Sequence, residues 1–263
     1  MDLKILYEDS DVLAVDKPAG IVVFPESTSP GLIDSKAKPY YKTLIDLLIE
    51  KYPKLVDVGR PPRYGIVHRL DKDTSGLLLV AKSSEGLIFL QKQFSAGAKA
   101  LADRKNREPL EKKVEKRYIA LATGIIKEDS GTIHTFIGRS PQDPRKQKAY
   151  TEEGIGRREA ITEYKVLQRF ENYTLLEVQI KTGRKHQIRC HVAYIHHPIA
   201  GDKMYGFKDS PTPEGLTRQF LHASYLKIQL LSGKTMEFRS ELPEELQLII
   251  NNLKTQIQNS KTI

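Results

Sequence analysis

Residues 68–82 read HRLDKDTSGLLLVAK, a tight polar turn followed directly by an apolar run. The apolar part, residues 77–81, is short and continuous, which is typical of a strand covered on both faces. Asp71 and Asp73 lie in the turn, and the Ser and Gly that follow them favour the same tight conformation. The stretch therefore predicts two carboxylates held near the surface by a rigid buried strand, where a catalytic side chain would lie.

Three chemistries and one plain structural interpretation fit this turn. Calcium would use Asp71 and Asp73 in the first half of an EF-hand loop, but the acid required at the twelfth position falls on Lys82. A magnesium-dependent aspartyl-phosphate phosphotransferase would use a carboxylate nucleophile here, although such a site normally takes further acids and the chain has no Asp-Asp pair. The third chemistry is a metal-free catalytic carboxylate at Asp71, with Arg69 and His68 beside it. A solvated acidic turn is the remaining interpretation.

The composition indicates one basic domain in a reducing compartment. The 263 residues are expected to form a single domain, 1–263. They carry 42 Lys and Arg against 33 Asp and Glu, a formal net charge of +9, which suits a polyanionic partner without proving one. The single Cys190 excludes an internal disulfide, the N-terminus lacks the apolar region of a signal peptide, and no apolar run has the length of a membrane span. We therefore expect a cytoplasmic protein that does not enter a membrane.

Hydrophobic patterning predicts an α+β fold. Apolar residues recur at helical spacing over 44–52 and over 246–257, and the second helix follows the favourable first turn Pro243-Glu244-Glu245. Runs of β-forming residues predict strands at 12–15, 21–24, 77–81, 117–122, 161–168, 174–181, 225–231 and 235–239. The first two strands flank a Lys-Pro-Ala-Gly turn like the arms of a hairpin or corner.

Several motifs follow one another in a fixed order along the chain. They are DKPAG at 16–20, HRLDKDTSG at 68–76, KRY at 116–118, TGRKHQIRCH at 182–191, HPIAGD at 197–202 with YG at 205–206, and LHA at 221–223. Together they resemble the RluA family of pseudouridine synthases over roughly residues 5–240. Each motif alone is weak, and their shared order over the whole chain makes the resemblance specific.

The resemblance implies the pseudouridine synthase fold, a mixed, largely antiparallel sheet flanked by helices and loops, with a central active-site cleft. It implies an RNA pseudouridine synthase that isomerises uridines of ribosomal or transfer RNA without a cofactor or a metal, and we expect a monomer. Many relatives carry a small N-terminal S4 domain that binds RNA, whereas this match begins within the first residues. RNA affinity is therefore expected to come from the catalytic domain. A catalytically inactive RNA-binding protein and the phosphotransferase remain as alternatives.

The implied reaction breaks the C1′–N1 bond of uridine and makes a C1′–C5 bond, so charge develops at the sugar as in glycoside cleavage. By motif position Asp71 is the catalytic carboxylate, which could attack the sugar, attack the base or abstract a sugar proton. The resemblance makes Arg189 the active-site arginine, and a guanidinium there would keep the carboxylate ionised and bind both of its oxygens. Tyr118 takes the active-site aromatic position, where it could stack on a flipped-out uracil or assist a proton transfer. A strand tyrosine is also commonly a core residue.

Basic residues around the motifs are candidates for binding RNA. By the resemblance Arg69, next to His68, could fill the space that a flipped base leaves, or it could pair with Asp73. Arg184 and Lys185 precede a predicted helix and could contact phosphate. A basic insertion at about 95–115, relative to the family, and a basic loop at 142–156 could grip RNA or be solvated surface. Their candidate side chains are Lys99, Arg104, Lys105 and Arg107 in the insertion and Arg145, Lys146 and Lys148 in the loop.

Two histidines near Arg189 suggest zinc, but their spacing argues against it. His186 and His191 lie five residues apart, about 140° around a helix axis, so they cannot close on one metal ion. We expect them to pack or form hydrogen bonds, and we expect Ile188, Val192 and Ile195 to form the buried face of that helix.

Overall fold

The described part of the chain is built on one mixed β-sheet. The computed structural model describes residues 3–25, 42–99 and 114–260. Its strands are β1 (Lys4–Glu8), β2 (Val12–Lys17), β3 (Ser75–Ala81), β4 (Glu115–Thr123), β5 (Ser130–Arg139), β6 (Gln147–Tyr150), β7 (Arg158–Arg169), β8 (Tyr173–Ile180), β9 (Leu221–Gln229) and β10 (Thr235–Arg239). Its helices are α1 (Leu44–Lys51), α2 (Ser84–Lys99), α3 (Gln187–Tyr194) and α4 (Glu244–Ser260), with a 3₁₀ turn at Pro53–Asp57.

The strands lie in the order β1-β2-β3-β9-β4-β8-β7-β5-β6, and β10 pairs with β9. Neighbouring strands are antiparallel except β3 and β9, which pair in parallel at Ser75 and Gly76. One edge of β9 is therefore shared between β3 and β10, and its other edge pairs with β4. The turn before β3 and Tyr118 on β4 consequently lie on either side of one central strand. The mixed, largely antiparallel sheet confirms the predicted fold class.

β3 is buried at every position, as the continuous apolar run predicted. Its first residues lie very close to β9, because a Cβ added to Gly76 would stand 2.3 Å from the carbonyl oxygen of Ala223. Gly76 also has a φ of +109°, which disfavours any residue with a side chain. This contact determines where the Asp71 turn leaves the sheet.

The helices that periodicity predicted are present and bury the expected faces. α1 buries Leu44 and Leu48, and α4 buries its positions 246, 249, 250 and 253 in the same core. Ile188 and Val192 are buried on α3, and Ile195 packs against the core just beyond its end. The apolar face predicted for that helix is confirmed.

The predicted strand at 21–24 is wrong. β2 already pairs with β1 on one side and with β3 on the other, so no edge is left for a further strand beside it. The chain turns away at Gly20, which has a φ of +85°. The carbonyls of Val22 and Val23 instead accept hydrogen bonds from the first two amides of α1.

Candidate active site

Lys17 fixes the backbone of the turn that carries Asp71. Its side chain is fully buried at the end of β2, and Nζ donates a hydrogen bond to the carbonyl of Lys72 at 3.0 Å. Nζ also donates to the carbonyls of Pro18 at 2.7 Å and Ile21 at 3.0 Å. Burial lowers the pKa of Lys17 to about 7. The lysine therefore holds the chain one residue away from the carboxylate.

A second clamp comes from the segment before β9. Arg218 donates hydrogen bonds to the carbonyl of Asp73 and to the hydroxyl of Ser75, both at 3.0 Å. Gln219 donates from Nε2 to the hydroxyl of Thr74 at 2.8 Å. The turn is thus held from two directions, so the Asp71 carboxylate has a defined position before a substrate binds.

Arg189 on α3 joins Asp71 to a second carboxylate, Asp202. Its Nη1 donates to Oδ2 of Asp71 at 2.8 Å, whereas Nε and Nη2 donate to both oxygens of Asp202 at 2.7 and 2.8 Å. The contact between Asp71 and Arg189 was predicted, but the predicted bidentate geometry is wrong, because Asp202 occupies the fork of the guanidinium. Asp71 therefore uses one oxygen for the ion pair, and its side chain stays 20% exposed.

The charges of Arg189 and Asp202 stabilise each other despite burial. Burial by itself lowers the pKa of Arg189, but the hydrogen bonds and charges of Asp202 and Asp71 outweigh it and raise that pKa. Burial raises the pKa of Asp202, and hydrogen bonds from Arg189 and two backbone amides lower it further than burial raises it. A full positive charge therefore faces Asp71 at neutral pH.

His186 lies on the other side of the Asp71 carboxylate. It precedes α3 in a left-handed conformation, so it is not on the helix with His191, and its Nε2 is 3.9 Å from Oδ1 of Asp71. The hydroxyl of Tyr205 accepts the amide of Gln147 at 2.7 Å and lies 3.1 Å from Nδ1 of His186. Burial lowers the pKa of His186. His186 is therefore mostly neutral at neutral pH, and its Nε2 faces Asp71.

Tyr118 lies at a β-bulge beside Asp71. The register of β4 against β9 shifts between Arg117 and Tyr118, and bulges of this kind redirect side chains next to active sites. The ring belongs to the main hydrophobic core and also lines the cleft that contains Asp71. Burial raises the pKa of Tyr118, and the charge of Asp71 raises it further. The phenol therefore keeps its proton at neutral pH and can stack or donate a hydrogen bond.

Asp71, Tyr118 and Arg189 line one cleft of about 530 Å³, which we call the Asp71 cleft. A volume of this size suits a single small ligand. Of the described lining residues, seven are Arg or Lys and one is an acid, Asp71. The seven cations are Arg63, Arg69, Lys116, Arg158, Arg184, Lys185 and Arg189. The cleft therefore favours a polyanion.

His68 and Arg69, two predicted RNA contacts, form part of this lining. Nε2 of His68 accepts the amide of Leu79 at 3.0 Å, and the ring stacks on Phe94 with centroids 4.8 Å apart. Burial lowers the pKa of His68 to about 3, so this imidazole supplies no positive charge at neutral pH. The guanidinium of Arg69 lies 5.1 Å from the ring centroid of Phe24. Their contacts with RNA stay predictions.

The basic loop contributes to a second cleft. Arg145 and Lys146 line a cleft of about 670 Å³ that also contains Asp73 and Arg189, and we call it the Asp73 cleft. Arg145 is matched by an acid, since its Nε and Nη2 each donate to a carboxylate oxygen of Asp143 at 2.9 Å. The predicted role of this loop in RNA binding therefore depends on Lys146 more than on Arg145.

The other predicted RNA-binding residues lie outside both clefts or outside the described residues. Lys148 on β6 is not a lining residue of either cleft, and its Nζ lies 5.4 Å from the ring centroid of Tyr150. The side chain of Lys99 and the residues Arg104, Lys105 and Arg107 fall outside the described part of the chain.

His191 is a hydrogen-bonding core residue, as predicted. Its Nδ1 lies 2.8 Å from the hydroxyl of Thr162 and its Nε2 lies 3.0 Å from that of Thr135. Within residues 3–25, 42–99 and 114–260, no group of three or more His, Cys, Asp or Glu is placed to hold a metal ion. None of the helices in those ranges has the length and apolarity needed to cross a bilayer.

Four residues of the site were not predicted from the sequence. Lys17 holds the turn, Asp202 orients Arg189, and His186 and Tyr205 lie next to the carboxylate pair. All four belong to the motifs that carried the family resemblance. Membership of a motif was therefore a usable signal, whereas residue type and spacing gave none of these four a place beside Asp71.

A clamped carboxylate in a cation-rich cleft, at the centre of a mixed sheet, defines an enzyme that acts on a polyanion. Residues 11–194 match the family model described as RNA pseudouridylate synthase. The chain belongs to this family and is an RNA pseudouridine synthase, an isomerase of uridine in RNA. The family assignment favours the metal-free catalytic carboxylate over the phosphotransferase interpretation of the turn.

Individual relatives agree with this assignment. The chain is 39% identical over 255 residues to the RNA pseudouridine synthase YlyB of Bacillus subtilis, covering 97% of this chain and 74% of the relative. It is 36% identical to the ribosomal large subunit pseudouridine synthase D of Xanthomonas campestris, covering 96% and 70%. The solved structure of human RNA pseudouridylate synthase domain containing 1 matches with a TM-score of 0.65 at 25% identity, over 92% of this chain and 84% of that one. The solved structure of human RNA pseudouridylate synthase domain containing 4 shares the fold. Its TM-score is 0.68 at 21% identity, over 95% of this chain and 93% of that one.

Proposed function

We propose that this enzyme isomerises uridines of large-subunit ribosomal RNA, with Asp71 as the catalytic carboxylate. The observation that carries the proposal is the pair of Asp71 with Arg189, backed by Asp202, inside a cleft where cations outnumber acids. The choice of RNA is supported by relatives from Xanthomonas, Haemophilus and Nitrosomonas, which are named ribosomal large subunit pseudouridine synthase D.

In this proposal the target uridine leaves its helix and enters the Asp71 cleft, because its reacting atoms are inaccessible while the base is stacked. The C1′–N1 bond breaks, the uracil turns, and C5 bonds to C1′. C5 loses a proton and N1 gains one, so all atoms stay within the nucleotide and the reaction needs no external oxidant or group donor. The protein supplies position and charge.

The described residues have separate tasks in that reaction. Asp71 presents the oxygen that is not bound to Arg189, and Arg189 holds that carboxylate in place. Tyr118 offers a buried ring beside Asp71 on which the uracil can stack, and its protonated hydroxyl can donate but cannot act as a base. Nε2 of His186 stands within 4 Å of the same carboxylate and can donate to a substrate oxygen that approaches it.

Mapping pseudouridines tests both parts of the proposal. Total RNA from cells that lack this protein should lose one or a few pseudouridines of large-subunit ribosomal RNA, and the parent gene should restore them. A gene for Asp71→Asn should not restore them. Losses confined to transfer RNA would contradict the proposed substrate, and restoration by Asp71→Asn would contradict the role of Asp71. An unchanged map would instead favour a protein that only binds RNA.

We also propose that the enzyme acts as a monomer in the cytoplasm. The residues of the Asp71 cleft all come from one chain, so no second subunit is needed to complete the described site. Light scattering during size-exclusion chromatography should give a mass near 29.9 kDa. A mass twice as large would contradict the monomer, and recovery in a membrane fraction would contradict the location.

A further inference from the structure

Three cations of the Asp71 cleft lie together on one of its sides. Arg158 is the first residue of β7, and Arg184 and Lys185 lie in the loop between β8 and α3. β7 and β8 are antiparallel neighbours, so the start of β7 and the end of β8 meet at the same edge of the sheet. This topology brings residues of two separate segments into one basic cluster, which we call the β7–β8 cluster.

Arg184 is held in a fixed orientation within the β7–β8 cluster. Its Nε donates to the carbonyl of Glu159 at 2.8 Å, and its backbone amide donates to the side chain of Gln187 at 3.0 Å. Within the described residues, no acceptor is bound to its two terminal nitrogens. A guanidinium anchored through Nε in this way presents a pair of donors suited to two oxygens of one anion.

The guanidiniums of Arg158 and Arg184 form no ion pair with the nearby acid Glu159 among the described residues. Burial lowers the pKa of Arg184, the charge of Arg158 lowers it further, and the charge of Glu159 opposes them in part. The carboxylate of Glu159 is 2.8 Å from Nε2 of His134, on the adjacent strand β5. Arg158 is exposed, and its guanidinium has no hydrogen-bond or ion-pair partner among the described residues. A bound anion would remove the repulsion between Arg158 and Arg184.

We propose that Arg158, Arg184 and Lys185 form a binding site for one phosphate of the RNA backbone. The phosphate belongs to the target uridine or to its immediate neighbour, because a cleft of about 530 Å³ admits one small ligand. The site would set the register of the RNA so that one particular nucleotide reaches Asp71, since phosphate contacts position a nucleic acid without reading its sequence. This inference rests on the proposed function and adds Arg158 to it.

Arg158→Gln tests the site, and Arg157→Gln is its matched control. Arg157 is the preceding residue and loses the same charge, but its guanidinium lies 3.9 Å from the ring centroid of Tyr150 and does not line the Asp71 cleft. Binding of a short RNA that contains the mapped uridine would be measured for the parent and both variants over a range of salt concentrations. The RNA would also be made with a single uncharged methylphosphonate linkage at each position around the uridine.

Arg158→Gln should weaken binding roughly two- to fivefold, the range for one exposed charge pair, whereas Arg157→Gln should bind like the parent. Loss of one phosphate contact should also flatten the slope of log affinity against log salt by ~0.7. A methylphosphonate at one particular linkage should weaken binding of the RNA to the parent. The same modified RNA should bind Arg158→Gln no more weakly than the unmodified RNA does. Arg158→Lys should retain the parental slope.

Two results would overturn the site while leaving the proposed function intact. One is equal affinity and equal salt slope for Arg158→Gln and Arg157→Gln. The other is an additional loss of affinity with Arg158→Gln at every methylphosphonate position. A parent enzyme that converts no uridine in any RNA would overturn both the function and the site.

Discussion

The Asp71 cleft and the Asp73 cleft share Arg189 but differ in the balance of charge among their lining residues. In the Asp73 cleft, Arg145 pairs with Asp143 at 2.9 Å and Arg218 pairs with Glu245 at 2.8 Å. In the Asp71 cleft, Asp71 is the single acid among the described lining residues. The second cleft is also the larger, at about 670 Å³ against 530 Å³. The excess of cations over acids in its lining, and not its volume, is therefore what supports the Asp71 cleft as the proposed RNA-binding surface.

The largest expected difference in activity is between substitutions of the two carboxylates of the turn, Asp71 and Asp73. Asp71→Asn should reduce isomerisation at least ~10³-fold, because an amide has nearly the same shape but cannot act as an anionic nucleophile or base. Asp73→Asn, two residues away in the other cleft, should retain activity. Single-turnover conversion of RNA, with a chelator present and with melting curves to check folding, measures both. Near-parental rates for Asp71→Asn would show that the assignment of Asp71 is wrong.

Substitutions of two cleft arginines, Arg189 and Arg145, are expected to differ in how much they destabilise the fold. Arg189→Gln should destabilise the fold by ~3–5 kcal/mol, because it leaves the fully buried Asp202 without its charged partner, and it should also abolish isomerisation. Arg145→Gln removes an exposed ion pair and should leave stability at the parental level. Urea denaturation of the two variants gives the comparison. Equal midpoints would mean that the link between Arg189 and Asp202 adds no stability.

Tyr118 tests whether the wall of the Asp71 cleft binds a base. Tyr118→Ala should weaken capture of the flipped uridine by ~1–3 kcal/mol if the ring stacks on it. Tyr118→Phe should keep that binding, so a fall in its rate constant at saturating RNA would assign a chemical role to the hydroxyl. Parental rates and affinities in both variants would leave Tyr118 as a core residue only.

Lys17, which holds the turn between the two clefts, should affect stability in a way that depends on pH. Burial lowers its pKa to about 7 in the folded protein, so between that value and the ordinary lysine pKa the unfolded chain binds more protons than the folded one. The cost of burying the charge is complete below about pH 7 and disappears as pH rises. The parent should therefore gain stability over Lys17→Met by at most ~1.4 kcal/mol per pH unit above pH 7.

Denaturation of both proteins at pH 7, 8 and 9 measures this gain. Lys42→Met, at an exposed position, is the control. Its unfolding free energy should differ from that of the parent by the same amount at every pH. If the difference in unfolding free energy between the parent and Lys17→Met is also the same at every pH, the three carbonyls bound to Nζ keep the ammonium charged throughout this range.

The local sequence pattern predicted those elements whose buried positions are occupied by apolar residues. β3 is apolar at consecutive positions, and α4 is apolar at helical spacing, so both were predicted. β5 was missed because one of its inward positions is Thr135, a polar residue that alternation alone assigns to solvent. Its hydroxyl is satisfied by His191, which lies 56 residues further along the chain. A partner at that distance leaves no local signal.

The sequence by itself determined the family, the buried strand behind the turn, and the choice of Asp71, Tyr118 and Arg189 as the centre of the site. Each is carried by residues that are contiguous in the chain, so a motif or a period suffices to show it. Only the tertiary structure decided that Asp202 takes the fork of Arg189, that Lys17 holds the turn, and that Arg158 joins Arg184 and Lys185. These contacts depend on which strand ends meet and which side chains are buried together, and both result from packing the whole sheet.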